Sequence, residues 1–195
     1  MNEPIDIEIV RAEALRKLGR NMVNFSKIEA VLKYLLSMGQ FEGTEETISE
    51  QLRRNQARLH KQSLGKLVQE FHKNVVVDAS QVETTTASSN SGISFYFKVT
   101  CDNPDFLKIQ KRALSDVVVE RNKLIHQDLA LLDTSCVEDY RKLISLMDEQ
   151  NPRLLAHLEE LGWIIKSVSN GWQTFGDLFK SPEFLEYIQS SQADA

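Results

Sequence analysis

Long apolar runs are missing from this chain of 195 residues. No stretch approaches the roughly 20 residues needed to cross a bilayer, so no membrane role is expected. Cysteine is scarce. The only two, Cys101 and Cys136, form neither a CxxC pair nor a disulfide framework. They read as packing residues in a reducing compartment. The segment Met1-Asn2-Glu3-Pro4 has neither the basic nor the apolar region of a secretory signal. A cytoplasmic protein is the expectation. No glycine-rich phosphate loop and no G-x-S-x-G elbow is present. His60, His72 and His157 have no ligand spacing to cysteines or acids, so neither metal nor cofactor is implied.

What is present is ordinary in bulk. Hydrophobic residues make up 42% and charged residues 26%, as in soluble globular proteins. The length fits one domain over 1–190, followed by a disordered tail at 191–195. The net charge of −5 argues against a sequence-blind nucleic-acid coat, which would be basic. The charge is uneven, however. From Arg53 to Lys73 the acid Glu70 stands among six Lys and Arg residues. From Leu107 to His126, Lys108, Lys111, Arg112, Arg121 and Lys123 face two acids, Asp116 and Glu120. Local basic surface of this kind can engage a polyanion on an acidic protein, and it is also what solvated helix faces look like.

Helical periodicity dominates. Apolar residues recur at helical spacing from Ile5 to Met38, and Gly39 ends the run. Turn and helix-start signals at 42–46 lead into a polar helix from Thr47 to about His60. Ser63 can cap a further helix from Leu64 to His72. The character then changes. Val75-Val76-Val77 and Ile93 to Val99 are rich in β-formers, separated by a polar Ser/Thr stretch. Together they suggest a small β-hairpin insertion at about 75–101 with a long tip. Asn103-Pro104 restarts a helix that continues to about Leu131. Thr134 or Ser135 can cap the next helix, which is expected to be perturbed at Asn151-Pro152. Trp172, Phe175 and Phe179 form an aromatic stripe of the kind found in cores and interfaces, and Pro182 opens a short last helix. The fold class is mainly α.

One stretch carries chemistry. Arg121-Asn122-Lys123-Leu124-Ile125-His126 places a fixed cation, an amide and an imidazole within two helical turns. Guanidinium grips phosphate oxygens in a forked geometry. Imidazole moves protons near neutral pH. Asn122 and His126 are four apart and share a helix face. Arg121 and His126 are five apart, roughly 140° around an ideal α-helix, so the arginine must curl or the helix must distort. A second R-N-x-H-like stretch, Arg54 to His60, lies in polar sequence without apolar support and reads as a solvated face.

The 121–126 stretch resembles the R-x4-6-H signature of the HEPN superfamily in its R-N-x3-H form. The resemblance is firm over about Phe106 to Leu129 and loose elsewhere. It implies a HEPN-like helical bundle. It further implies a metal-independent endoribonuclease working as a homodimer, with two motifs facing each other in a shared cleft. Arg121 and His126 would be catalytic, Asn122 and Lys123 would support or bind substrate, and Asp116 and Glu120 would be accessory acids. RNA would be the substrate, and a protein antitoxin or regulator a further partner, in a toxin or antiphage setting. Asp128 departs from the pattern of family toxins paired with a nucleotidyltransferase, which often carry tyrosine at that position. Regulation by nucleotide transfer is therefore not implied. A noncatalytic module of the same fold, binding nucleotide, RNA or protein, is the alternative.

Overall fold

The computed structural model describes residues 7–43, 45–79 and 93–182. The tip at 80–92, the helix expected after Pro182 and the tail at 191–195 lie outside these residues or begin at their edge. The elements are α1 (Ile7–Met38), β1 (Gln40–Gly43), α2 (Glu45–His60), α3 (Leu64–Asn74), β2 (Val76–Asp78), β3 (Ile93–Tyr96), β4 (Val99–Cys101), α4 (Pro104–Lys123), a π-helical turn (Leu124–Asp128) and α5 (Val137–Phe179). The chain is mainly α with a small β element, as its periodicity suggests. No helix among the described residues is long and apolar enough to cross a membrane.

The frame is the pairing of α1 with α5. Buried residues of α1 follow a 3–4 spacing through Ala14, Asn21, Phe25, Ile28, Leu32 and Leu35. On α5 the same spacing runs through Tyr140, Leu143, Met147, Gln150, Leu154, Leu161, Ile164 and Val168. A 3.5-residue repeat is what two helices need to keep one seam facing along their length. Lys17 bonds Asp148, Asn21 bonds Gln150 and Asn24 bonds Asn151, so the two helices run in the same direction.

Pro152 does not interrupt α5, contrary to the expected break. The proline leaves the Asp148 carbonyl without its helical donor and crowds the preceding turn. The neighbouring carbonyl, not the orphaned one, is bonded from α1. The Met147 carbonyl accepts from Asn21 Nδ2 at 2.9 Å and from Arg20 Nη2 at 3.1 Å. Gly19 has open space around it and lies inside the unbroken α1.

The expected hairpin requires correction. β2 and β3 do not pair. β1 pairs antiparallel with β3, Phe41 opposite Phe95, and β2 pairs parallel with β4, Val77 opposite Thr100. The connection between β2 and β3 is too long for a tight turn to set a hairpin register. Instead α1 and α3 end side by side, with Val75 Cγ2 3.8 Å from an ideal Cβ on Gly39. The returning segment first joins the stub after α1, where Phe97 N–H donates to the Gly39 carbonyl at 2.8 Å. It then joins the stub after α3, where Val99 N–H donates to the Val75 carbonyl at 2.7 Å. β1 itself is not foreshadowed, because Gln-Phe-Glu-Gly contains no β-branched residue and is a strand through its partner.

α4 begins as its sequence suggests. Pro104 opens it, and Asn103 Oδ1 accepts from the N–H groups of Asp105 and Phe106, both at 3.1 Å. Such a cap contributes about 1 kcal/mol. α5 starts differently from expectation. Its N-cap is Cys136, and the preceding turn is fastened by Asp133, which accepts from Ser135 N–H and Oγ.

Two features of this frame are open to measurement. An ideal Cβ on Gly171 would lie 2.2 Å from Phe97 Cε2, whereas nothing lies within 4 Å of one on Gly162. Both glycines are helical. Gly162→Ala is expected to raise stability by about 0.5–1 kcal/mol. Gly171→Ala should lower it by about 1–3 kcal/mol, with recovery in the Phe97→Ala background. Urea unfolding of the variants checks the opposite signs.

His72 is the second. Burial of its imidazole, and then the nearby Lys111 ammonium, lower its pKa from 6.5 to about 4. The unfolded chain therefore binds this proton more readily. Stability falls as pH drops below about 6.5 and the loss levels off below about 4. The imidazole keeps some exposure, so the effect is on the order of 1–2 kcal/mol. His72→Leu should shrink the difference in urea midpoint between pH 7 and pH 4.5. An unchanged difference would show that His72 does not carry this acid sensitivity.

Candidate functional site

α4 is held on two sides. Toward the core it presents Gln110, Leu114 and Val117, and the π-helical turn continues the buried row with fully buried Leu124. Toward α5 it presents Glu120. Gln150 Nε2 donates to Glu120 Oε2 at 3.0 Å, and Arg153 Nε donates to Glu120 Oε1 at 3.2 Å. Gln150 in turn accepts from Asn21 at 3.1 Å. A relay of polar side chains thus runs from α1 through α5 to the residue immediately before Arg121. Asn21 and Gln150 are both buried within the apolar seam.

Beyond Glu120 the helix changes its winding. Leu129 N–H donates to the Leu124 carbonyl at 3.0 Å, a bond spanning five residues. Turns of this kind are rare and are often found at functional sites. A wider turn advances less per residue. It brings His126 round toward Arg121, compared with the roughly 140° of an unbroken α-helix. The arginine also curls. Its Nη1 donates to Asn122 Oδ1 at 3.2 Å. Asn122 is thus bonded to Arg121 and precedes His126 by four residues.

Exposure divides the motif. Arg121 is half-buried, while Asn122, Lys123 and His126 are exposed. Arg121 has no ion pair among the described residues, and His126 has neither an ion pair nor a hydrogen bond there. Leu124 anchors the segment that carries them. The result is a guanidinium, an amide and an imidazole open to solvent on a backbone fixed from below.

The remaining sequence candidates are placed as follows. Lys123 Nζ lies 3.8 Å from Asp128 Oδ1, a surface pair of little energetic weight. Asp116 is exposed, with no partner among the described residues. Glu120 is turned to α5 and is occupied there. Beyond the π-helical turn a cleft of about 220 Å³ is bordered by Asp128, Leu131, Leu132 and the α5 residues Asp139 and Lys142. The sequence pointed to no cleft there, because its walls come from segments that periodicity treats separately. The Arg54–His60 stretch behaves as a solvated face, with Arg54 exposed and paired to Glu50.

Comparison with protein-family models, curated proteins and solved structures finds no match to this chain. The chemistry of the site has to be read from its own residues.

Removing Gln150 tests the relay. Gln150→Leu removes one of the two acceptors of the buried Asn21 amide and strips Glu120 of one donor, at a cost of about 1–3 kcal/mol. Asn21→Leu combined with Gln150→Leu should cost less than the two single changes added together, because the Asn21–Gln150 bond is then lost once and not counted twice. Simple additivity in a thermal or urea double-mutant cycle would rule out coupling between them.

Proposed function

We propose that this chain is a metal-independent endoribonuclease of the HEPN type, working as a homodimer with a composite site, in a toxin or defence setting. RNA carries its own nucleophile, the 2′-hydroxyl. Cleavage needs a base at that hydroxyl, positive charge at the phosphorane and an acid at the leaving 5′-oxygen. His126 takes the 2′-hydroxyl proton. The 2′-oxygen attacks phosphorus, the bond to the 5′-oxygen breaks, and a second proton donor completes the leaving group. Arg121 stabilises the charge on the non-bridging oxygens, and Asn122 holds the guanidinium in place. Lys123 adds positive charge at the edge. One chain offers one exposed motif imidazole, so the second proton transfer falls to the His126 of a second copy. The products carry a 2′,3′-cyclic phosphate and a 5′-hydroxyl. No cofactor enters these steps.

The observation that carries this reading is the Arg121–Asn122 hydrogen bond beside a π-helical turn that presents His126. Both features support the convergence that a five-residue spacing otherwise opposes. One observation favours the noncatalytic alternative. Asp128 closes the same turn and brings negative charge toward the motif, answered by Lys123.

Purified protein incubated with single-stranded RNA in EDTA should cleave it. His126→Ala and Arg121→Ala should each lose about 100-fold or more, and Asn122→Ala about 10-fold. Thermal midpoints should barely move, because none of the three side chains fills the core. Equal cleavage by wild type and variants would identify a contaminant. Binding without cleavage by wild type would replace the enzyme with the binding module. A solution mass measurement tests the dimer separately.

A further inference from the structure

We propose that the notch at the turn between α2 and α3 is a second phosphate-binding subsite, which grips the backbone of a single-stranded RNA next to the Arg121–His126 site. The ligand class rests on the function proposed above; the subsite has its own observations.

The notch has a volume of about 620 Å³ and is lined by Ala57, Arg58, Lys61, Gln62, Ser63 and Lys66. Three of the six are cations. Glu70 is the acid in contact with this group, and it is already engaged. Arg58 Nη1 binds it at 2.9 Å and Gln62 Nε2 at 2.5 Å. Lys61 and Lys66 are exposed and have no ion pair among the described residues. Ser63 lies between them, and its hydroxyl makes no capping bond. Cations left unpaired around a concavity attract an anion more strongly than the same charges on a convex face.

Its position gives the notch a role. His72 of α3 lies within the electrostatic reach of Lys111 on α4. Seven residues earlier on α3, Gly65 lies against Val118, seven residues later on α4, with an ideal Cβ 3.5 Å from Val118 Cγ1. The helices are therefore antiparallel. Moving back from Gly65 to the Lys61–Ser63 turn corresponds to moving on from Val118 to Arg121 and Asn122. The basic run at 53–73 and the basic run at 107–126 are distant in sequence. This packing makes them neighbours. A strand whose scissile phosphate lies at Arg121 finds further cations at Lys61 and Lys66 for an adjacent phosphate.

The test uses the full chain carrying His126→Ala, which keeps the substrate intact, and a fluorescein-labelled oligouridylate of twelve nucleotides. Binding is read by anisotropy over a range of salt concentrations. Adding Lys61→Ala and Lys66→Ala should weaken binding about 5- to 10-fold at low salt. It should also reduce the slope of log K against log salt by about 1.4, the share of two single-strand phosphate contacts. Lys180→Ala, at the far end of α5, should change neither. An unchanged slope in the double-lysine background, or no binding by the parent, overturns the subsite. Nuclease activity is assayed on the otherwise wild-type chain in parallel. Lysine-dependent binding without cleavage leaves the notch standing and removes the nuclease. Cleavage and binding indifferent to both lysines remove the notch and leave the nuclease.

Discussion

The buried relay from Asn21 through Gln150 to Glu120 is the constraint on which the arrangement of this protein depends. Two amides in an apolar seam are unfavourable unless they meet. Meeting fixes the register of α1 against α5, since a shift of either helix would strand both. Gln150, which accepts from Asn21, donates through its Nε2 to Glu120, which ties α4 to the pair already in register. The Met147 carbonyl accepts from the same Asn21, so one side chain holds α5 at two points and sets the alignment. Apolar burial supplies most of the driving force here, as in any helical protein. It is the polar contacts that choose among sliding alternatives.

That choice matters because Arg121 follows Glu120 directly. With Glu120 held against α5 and Leu124 buried below, the backbone between them has little freedom. The exposed groups of the motif thus stand on a fixed base, which is what preorganised charge stabilisation requires. The wider turn at Leu124–Asp128 sacrifices regular α-helical bonding where the motif needs a different projection. Local irregularity backed by a firm surround is a common property of working sites. The α3–α4 packing sets Gly65 against Val118, so the start of α3 lies toward the same end as the close of α4.

Much of this was legible beforehand. The helices announce themselves through apolar spacing, and Asn103-Pro104 marks the start of α4 by cap chemistry alone. The motif stood out because apolar Leu124 and Ile125 precede its histidine, a context the Arg54–His60 stretch lacks. Spacing asks for a curled arginine or a distorted helix, and the chain has an Arg121–Asn122 bond and a π-helical turn there. Other features depend on tertiary partners. β1 is a strand because β3 lies beside it, and the segment at 93–101 divides its pairing because two helices end together. Glu120 resembles an accessory acid in sequence, yet in the fold it is a tether. Pro152 predicts a perturbation, yet α5 runs on through it to Phe179. None of these can be inferred from a window of neighbouring residues.

The proposed cleavage would leave a signature on the RNA itself. Mass spectrometry of the products formed in EDTA, from an RNA and from the same strand with 2′-deoxy sugars at the cut positions, reads it directly. Transfer to the 2′-oxygen predicts 2′,3′-cyclic phosphate and 5′-hydroxyl ends from the RNA and no cut at the deoxy positions. Products with 5′-phosphate ends, or cutting of the deoxy-substituted strand, would contradict it.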